Sequence, residues 1–178
     1  MKKRILLTMM FALCAILGRA QSVDVFIYDS DGPFSNVRNK PNGKIVDKIP
    51  VNASASLLVE KVSNGWWRIV GDTYNRLRDE IDEDGEEWED VMLKGSTTGY
   101  WIHYSVIGTG TRNYGNEKLP LRSQPSKRAS ISYTLTGDQV VRPIDVQGDW
   151  VKVKTLDGKG VGWVEDEWLC SNPVTTCP

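Results

Sequence analysis

Hydrophobic and polar residues alternate along many short stretches of the chain. The residues from Val23 to Tyr28 alternate and then run into a turn-rich segment, and the residues from Trp150 to Lys154 alternate in the same way. A period of two is typical of β-strands that have one face in a core and the other in solvent. Helical spacing is scarce outside residues 71–98. The pattern therefore predicts an all-β protein built from short strands.

The first twenty residues have the features of a secretory signal peptide. The basic residues Lys2–Arg4 precede an apolar run, Ile5–Leu17. The small residues Gly18 and Ala20 then predict a signal-peptidase cleavage site just before Gln21. The run is shorter than the roughly 20 residues that cross a bilayer. We therefore expect an exported chain without a membrane span, located in the periplasm or at the cell surface.

The number of cysteines in the mature protein depends on this signal-peptide assignment. Cys14 lies inside the apolar run, so a lipid-anchored start is the alternative, but Leu13 stands where a small residue is expected before a lipidated cysteine. If Cys14 leaves with the signal, Cys170 and Cys177 remain. An even number of cysteines in an exported protein favours a disulfide, so we expect this pair to be bridged.

The charge balance narrows the classes of function. The net charge is −1, and loss of the four basic residues of the signal segment changes it to −5. A mildly acidic chain lacks the basic face that nucleic-acid binding requires. His103 is the single histidine, and it has Ser105 nearby but no nucleophile motif. We therefore expect a protein that is not an enzyme and holds no metal or cofactor.

The sequence contains an internal repeat with two offsets. Residues 37–41 match 121–125, and 65–69 match 149–153, both 84 residues further along. From Trp101, which matches Trp163, the offset falls to 62. The difference of 22 residues marks an insertion in the first copy.

This repeat predicts two domains. The first spans residues 21–110, with the insertion at 71–98, and the second spans 111–178, with a C-terminal tail. Gly108 to Thr111 is expected to link the copies, and a linker this short predicts that they touch.

The repeated motifs resemble a known family. The segments 31–44, 65–69 and 99–107 resemble, in order, the opening and closing strands of a bacterial SH3 (SH3b) domain, and 121–125 and 148–169 repeat them. The resemblance implies two small SH3-like β-barrels in an exported bacterial protein. It also implies a cell-wall peptide or glycan as the ligand.

Strand alternation assigns the tryptophans to faces. Val151 and Val153 are expected to face the core, which turns Trp150 and Lys152 outward. A turn at Asp157-Gly158 places residues whose numbers sum to 315 opposite each other, so Lys152 faces Trp163. In the first copy Trp67 and Ile69 are expected to point inward.

The outward set is the candidate ligand-binding surface. Accessible aromatic rings beside basic side chains can hold a peptide or glycan. The alternative is that these rings pack over the open edge of a barrel or between the copies. The candidate residues are Trp66, Arg68, Trp101, Trp150, Lys152 and Trp163.

The insertion is strongly acidic, with nine carboxylates between Asp79 and Asp90. Part of it matches a calcium-binding loop, but Val91 stands where a bidentate glutamate is required. A hairpin that turns at Asp84-Gly85 would place Ile81 opposite Trp88, and a loop or short helix is the other interpretation. A protein–protein adaptor or inhibitor that uses this segment, or the tryptophans, is the alternative to cell-wall binding.

Overall fold

The computed structural model describes residues 22–51, 53–78, 88–89 and 97–171. These residues contain β-strands and two short 3-10 turns but no α-helix, which confirms the all-β prediction. The signal segment with Cys14, Cys177, and most of the acidic run with the calcium-loop positions lie outside the described residues. In the part that is described, no helix is long and apolar enough to cross a membrane.

The fourteen strands of the described residues form one continuous sheet. In chain order they are β1 (Ser22–Ile27), β2 (Phe34–Arg38), β3 (Ile45–Pro50), β4 (Ala53–Ser63), β5 (Trp66–Arg78), β6 (Trp88–Glu89), β7 (Trp101–His103), β8 (Ile107–Thr111), β9 (Lys118–Arg122), β10 (Ile131–Thr136), β11 (Val140–Gln147), β12 (Trp150–Thr155), β13 (Val161–Glu165) and β14 (Leu169–Cys170). The order across the sheet is β10-β9-β13-β12-β11-β8-β1-β4-β5-β7-β2-β3, with β14 beside β8 and β6 beside β5.

The segment expected to be a linker, Gly108 to Thr111, is instead most of strand β8. This strand pairs with β1 at its start, with β11 over Thr109 and Gly110, and with β14 over Gly110 and Thr111. Thr109 and Thr111 are buried. A run of glycine and threonine carries no hydrophobic alternation, which is why the sequence pattern did not predict a strand here.

The pairings of β8 repeat those of β1 at the offset of the sequence repeat. Val25 pairs with Leu57 in the first half of the chain, and Thr109 pairs with Val141, 84 residues later. We use "first half" for residues 22–106 and "second half" for residues 112–171. Strand β8 follows the first half and pairs with its opening strand, β1. It also precedes the second half and pairs with β11 and β14 there.

The core follows the predicted alternation. Trp67 and Ile69 are 1% and 0% exposed, so the inward orientation predicted for them is confirmed. Val151 and Val153 are fully buried, as predicted. These residues belong to one hydrophobic cluster that extends through both halves.

The register predicted for a hairpin in the acidic insertion is wrong. Trp88 lies opposite Arg78, not opposite Ile81, and Glu89 lies opposite Leu77. The predicted register would have set Glu80 against Glu89. The observed register removes that pairing of like charges, which is unfavourable between neighbouring strands.

Candidate binding face

The register between β12 and β13 is the predicted one. Lys152 pairs with Trp163, and Trp150 pairs with Glu165, so both pairs of residue numbers sum to 315. The equivalent pairs in the first half are Arg68 with Trp101 and Trp66 with His103. The structure therefore brings the predicted site residues together within each half, as two separate groups.

Two of the four candidate tryptophans are less accessible than expected. Trp66 is 9% exposed and Trp163 is 7% exposed, whereas Trp101 and Trp150 are half-buried. The strand faces are as predicted, but long side chains on neighbouring strands cover the two buried rings. Arg38 and His103 lie against Trp66, and the Lys152 ammonium lies 5.9 Å from the centre of the Trp163 ring. The burial of these two residues therefore favours packing over open ligand contact.

A continuous stack of planar groups occupies the outer side of the first half. The Arg38 guanidinium lies 5.8 Å from the Trp66 ring centre, Trp66 lies 5.1 Å from the His103 ring, and His103 lies 4.6 Å from the Tyr104 ring. Trp101 pairs with Arg38 and points to the same side. We call these residues the aromatic face: Arg38, Trp66, Trp101, His103 and Tyr104.

Each member of the stack is positioned by local structure. Arg38 lies at the end of β2, where its Nη1 donates to the carbonyl oxygen of Gly43 at 2.7 Å. His103 ends β7 and caps the 3-10 turn that begins at Tyr104. Gly65 has a φ of +81°, and a Cβ there would lie 2.8 Å from Nε2 of His103. A larger residue at this turn would therefore displace the imidazole.

The imidazole of His103 is held as a neutral ring. Its Nδ1 accepts a hydrogen bond from the backbone N–H of Ser105 at 3.4 Å and lies 2.8 Å from the Ser105 hydroxyl oxygen. An N–H can only donate, so this contact favours the tautomer with the lone pair on Nδ1 and the proton on Nε2. Partial burial lowers the pKa of His103, which also favours the neutral form.

The equivalent surface of the second half is organised differently. Glu165 stands where the first half has His103, and it forms an ion pair with Lys127 at 3.0 Å. The hydrogen bond and charge of Glu165 raise the pKa of Lys127. Arg122 corresponds to Arg38 and likewise anchors its loop, since its Nη1 donates to the carbonyl oxygen of Ala129 at 2.9 Å.

The remaining predicted residue, Arg68, is exposed. It lies 3.4 Å from the carboxylate of Glu60 on the neighbouring strand. Exposed ion pairs of this kind contribute little to stability. Arg68 therefore adds positive charge beside the aromatic face without being fixed in it.

Sequence reasoning did not include Arg38, His103 and Tyr104 among the candidates. Arg38 was visible as the match to Arg122 within the repeat. Nothing in the pattern showed that its side chain would lie over Trp66, because the approach of β2 to β7 brings together residues that are far apart in sequence.

A groove of about 520 Å³ lies away from the aromatic face, where β1 begins and β14 ends. Charged side chains of both signs line it, among them Asp24, Arg112, Asp166 and Glu167. Burial raises the pKa of Asp24. None of the predicted ligand-binding residues lines this groove, whereas Cys170 of the predicted disulfide does.

Comparison with known proteins gives a family for part of the chain. Residues 117–169 match the family described as "Bacterial SH3 domain". No curated protein matches the chain. Similar solved structures include NlpC2 and NlpC1 from Trichomonas vaginalis, each with 9% sequence identity and 85% of this chain covered, at TM-scores of 0.30 and 0.31. The chain spans 48% and 46% of those two structures, or about half of their length. The segment from β9 to β14 is therefore similar to a bacterial SH3 domain, as its motifs indicated.

Proposed function

We propose that the chain is an exported, non-enzymatic protein of the bacterial cell envelope that binds peptidoglycan peptide through tandem SH3b units. The observation that carries this proposal is the SH3 match at residues 117–169 together with the strand pairings that recur in the first half. SH3b domains commonly bind cell-wall material, and the signal-like N-terminus supports export.

The recurrence supports the part of the proposal that makes the first half a second SH3b unit. Trp67 pairs with Ile102, and the residues at the same repeat positions, Val151 and Val164, also pair. In the first half, a 3-10 turn leads into β8, which pairs with β1. In the second half, a 3-10 turn leads into β14, which pairs with β8. A shared plan at the two offsets of the sequence repeat, 84 residues before the insertion and 62 after it, is what tandem copies of one domain produce.

The aromatic face is the ligand surface in this proposal. It joins half-buried rings to a fixed guanidinium, and such combinations of aromatic and arginine side chains dominate binding surfaces. Trp101 supplies the accessible indole, and Arg68 supplies further positive charge. Trp66 is buried and supports the other members of the stack. The second-half set of Trp150, Lys152 and Trp163 is secondary because Glu165 stands there in the position of His103.

Sedimentation with purified sacculi tests the proposal. The mature protein should pellet with sacculi and remain bound in moderate salt. Trp101→Ala should weaken retention, whereas Leu156→Ala, which removes an exposed apolar side chain from the β12–β13 turn, should not. Failure to pellet, with one protein co-purifying from the envelope, would instead support the adaptor function.

The same assay tests the absence of enzymatic activity. Ser105 and His103 lie within hydrogen-bond distance, which makes Ser105→Ala the appropriate control. We expect no soluble fragments to be released from sacculi by either form. Release that depends on Ser105 would contradict the proposal.

A further inference from the structure

We infer that the aromatic face of the first half is a carboxylate-binding site, which takes the free carboxyl end of a peptide. The inference rests on the proposed function and goes beyond it, because it names the chemical group that is recognised and the half that recognises it. It depends on the donors of the face, on their charge, and on the contrast with the second half.

The fixed nitrogen groups of the aromatic face are hydrogen-bond donors. A guanidinium carries five N–H groups, and one of those on Arg38 donates to Gly43. In His103 the lone pair of Nδ1 is directed to Ser105, so the ring N–H is on Nε2, beside the Gly65 turn. The indole of Trp101 can only donate. A ligand on this face must therefore supply acceptors.

The charge of the face favours an anionic acceptor. Arg38 is held by Gly43 and by the Trp66 ring, so its position is set before a ligand arrives. The carboxylate of Glu60 lies beside Arg68 at 3.4 Å and is already engaged there. Hydrogen bonds from arginine to a carboxylate are shorter and stronger than those between neutral groups. A free peptide carboxylate matches this arrangement better than an amide or a sugar hydroxyl.

The second half is not expected to bind the same group. Glu165 occupies the position of His103 and brings its own carboxylate, which Lys127 contacts at 3.0 Å. A ligand carboxylate would meet this negative charge instead of a donor. Arg122 nevertheless holds its loop as Arg38 does, so the two arginines differ in their surroundings and not in their structural role.

The test compares two probes that differ only in their C-terminal group, a carboxylate in one and a neutral amide in the other. N-acetyl-alanyl-alanine in the D,D form is titrated as the free acid and as its C-terminal amide, and binding is followed through the indole N–H signals of Trp66 and Trp101. The free acid should bind at least about tenfold more tightly, which corresponds to ~1.4 kcal/mol. Equal binding of the two forms, or no effect on either indole, would overturn the inference.

Matched variants assign the effect to the face. Arg38→Gln should abolish the preference for the free acid, whereas Arg122→Gln, which removes the same kind of loop anchor, should leave it unchanged. His103→Phe keeps a ring in the stack and removes the Nε2–H donor, so it should weaken acid binding several-fold. If Arg38→Gln does not fold, the wild-type preference and His103→Phe still decide the question.

The outcomes separate this inference from the proposed function. If the protein binds sacculi but binds the free-acid and amide probes with equal affinity, only the carboxylate site is overturned. If the wild-type protein does not bind sacculi at all, the proposed function is wrong. An equal effect of Arg38→Gln and Arg122→Gln would show that the arginines act only by holding their loops.

Discussion

Trp67 donates its indole Nε1–H to the carbonyl oxygen of Pro143 at 3.1 Å, across 76 residues of sequence. The bond is buried and joins the first half to the second. One residue earlier on β11, the Arg142 guanidinium donates to the carbonyl oxygens of Ile107, which begins β8, and Tyr28, which follows β1. These contacts, together with the pairings of β8, hold the two halves against each other.

The Trp67 bond should be visible in stability. Trp67→Phe leaves the Pro143 carbonyl without its buried partner, so we expect it to lower the free energy of unfolding by ~1–3 kcal/mol. Trp67→Ala should cost ~3 kcal/mol or more, because it also empties a large core volume. Chemical denaturation measures both, and Trp101→Ala is the control for a half-buried tryptophan. A similar loss for Trp67→Ala and Trp101→Ala would contradict the core assignment.

The shared strand β8 should determine where the second half can be cut. A fragment that starts at Ile107 retains the pairings with β11 and β14, and we expect it to fold. A fragment that starts at Arg112 loses them and exposes two strand edges, so it should remain unfolded or aggregate. Circular dichroism and dispersion of the NMR spectrum distinguish the fragments. Folding of both would show that β8 is dispensable to the second half.

Gly162 lies in a position with no room for a side chain. A Cβ there would come within 2.4 Å of the Ser132 hydroxyl oxygen and 2.7 Å of the Leu121 Cβ. We expect Gly162→Ala to lower the free energy of unfolding by ~1–3 kcal/mol, as overpacking does. Gly71→Ala is the matched control, because its Cβ would meet Leu58 at an ordinary 3.5 Å. Equal effects of the two substitutions would rule out the steric explanation.

His103 offers a direct pH measurement, because it is the single histidine of the chain. Burial lowers its pKa in the folded protein, so its NMR titration should have a midpoint below the ordinary value of 6.5. The unfolded chain then binds a proton at a higher pH than the folded one. The stability from neutral His103 is therefore present above pH 6.5 and lost as the pH falls through the folded pKa. A midpoint at or above 6.5, or an unchanged pH profile in His103→Phe, would contradict this account.

Export and the state of the cysteines can be read from one mass spectrum. We expect the mature chain to begin at Gln21 and to be lighter by two hydrogen atoms than the reduced chain, as a bridge between Cys170 and Cys177 requires. Cys170 is buried, while Cys177 lies outside the described residues. A lipid on Cys14, or two thiols that react with maleimide in the folded protein, would show that the prediction is wrong.

Much of the fold followed from local sequence. Alternation around Val151 and Val153 predicted the inward face, and the Asp157-Gly158 turn predicted the register of β12 with β13. These features depend on residues close together in the chain. Strand β8 was missed because its glycines and threonines carry no alternation, and their burial is decided by strands from both halves.

The candidate site was predicted only in part. Strand faces placed Trp66 and Trp163 on the outer side, but alternation gives direction and not accessibility. Arg38 and His103 cover Trp66, and their approach depends on the pairing of β2 and β5 with β7. Long-range pairing of this kind has no signal in the spacing of residues along one strand.

Because β8 serves both halves, the molecule has no hinge segment at their boundary whose length could change. Domains joined by a flexible linker can adjust their separation, and their joint affinity for a polymer then depends on linker length. Here the separation and the rotation between the halves are set by the pairings of β8 and by the contacts of Trp67 and Arg142. Any ligand that contacts both halves must therefore match this fixed arrangement, because no change in linker length can adjust it.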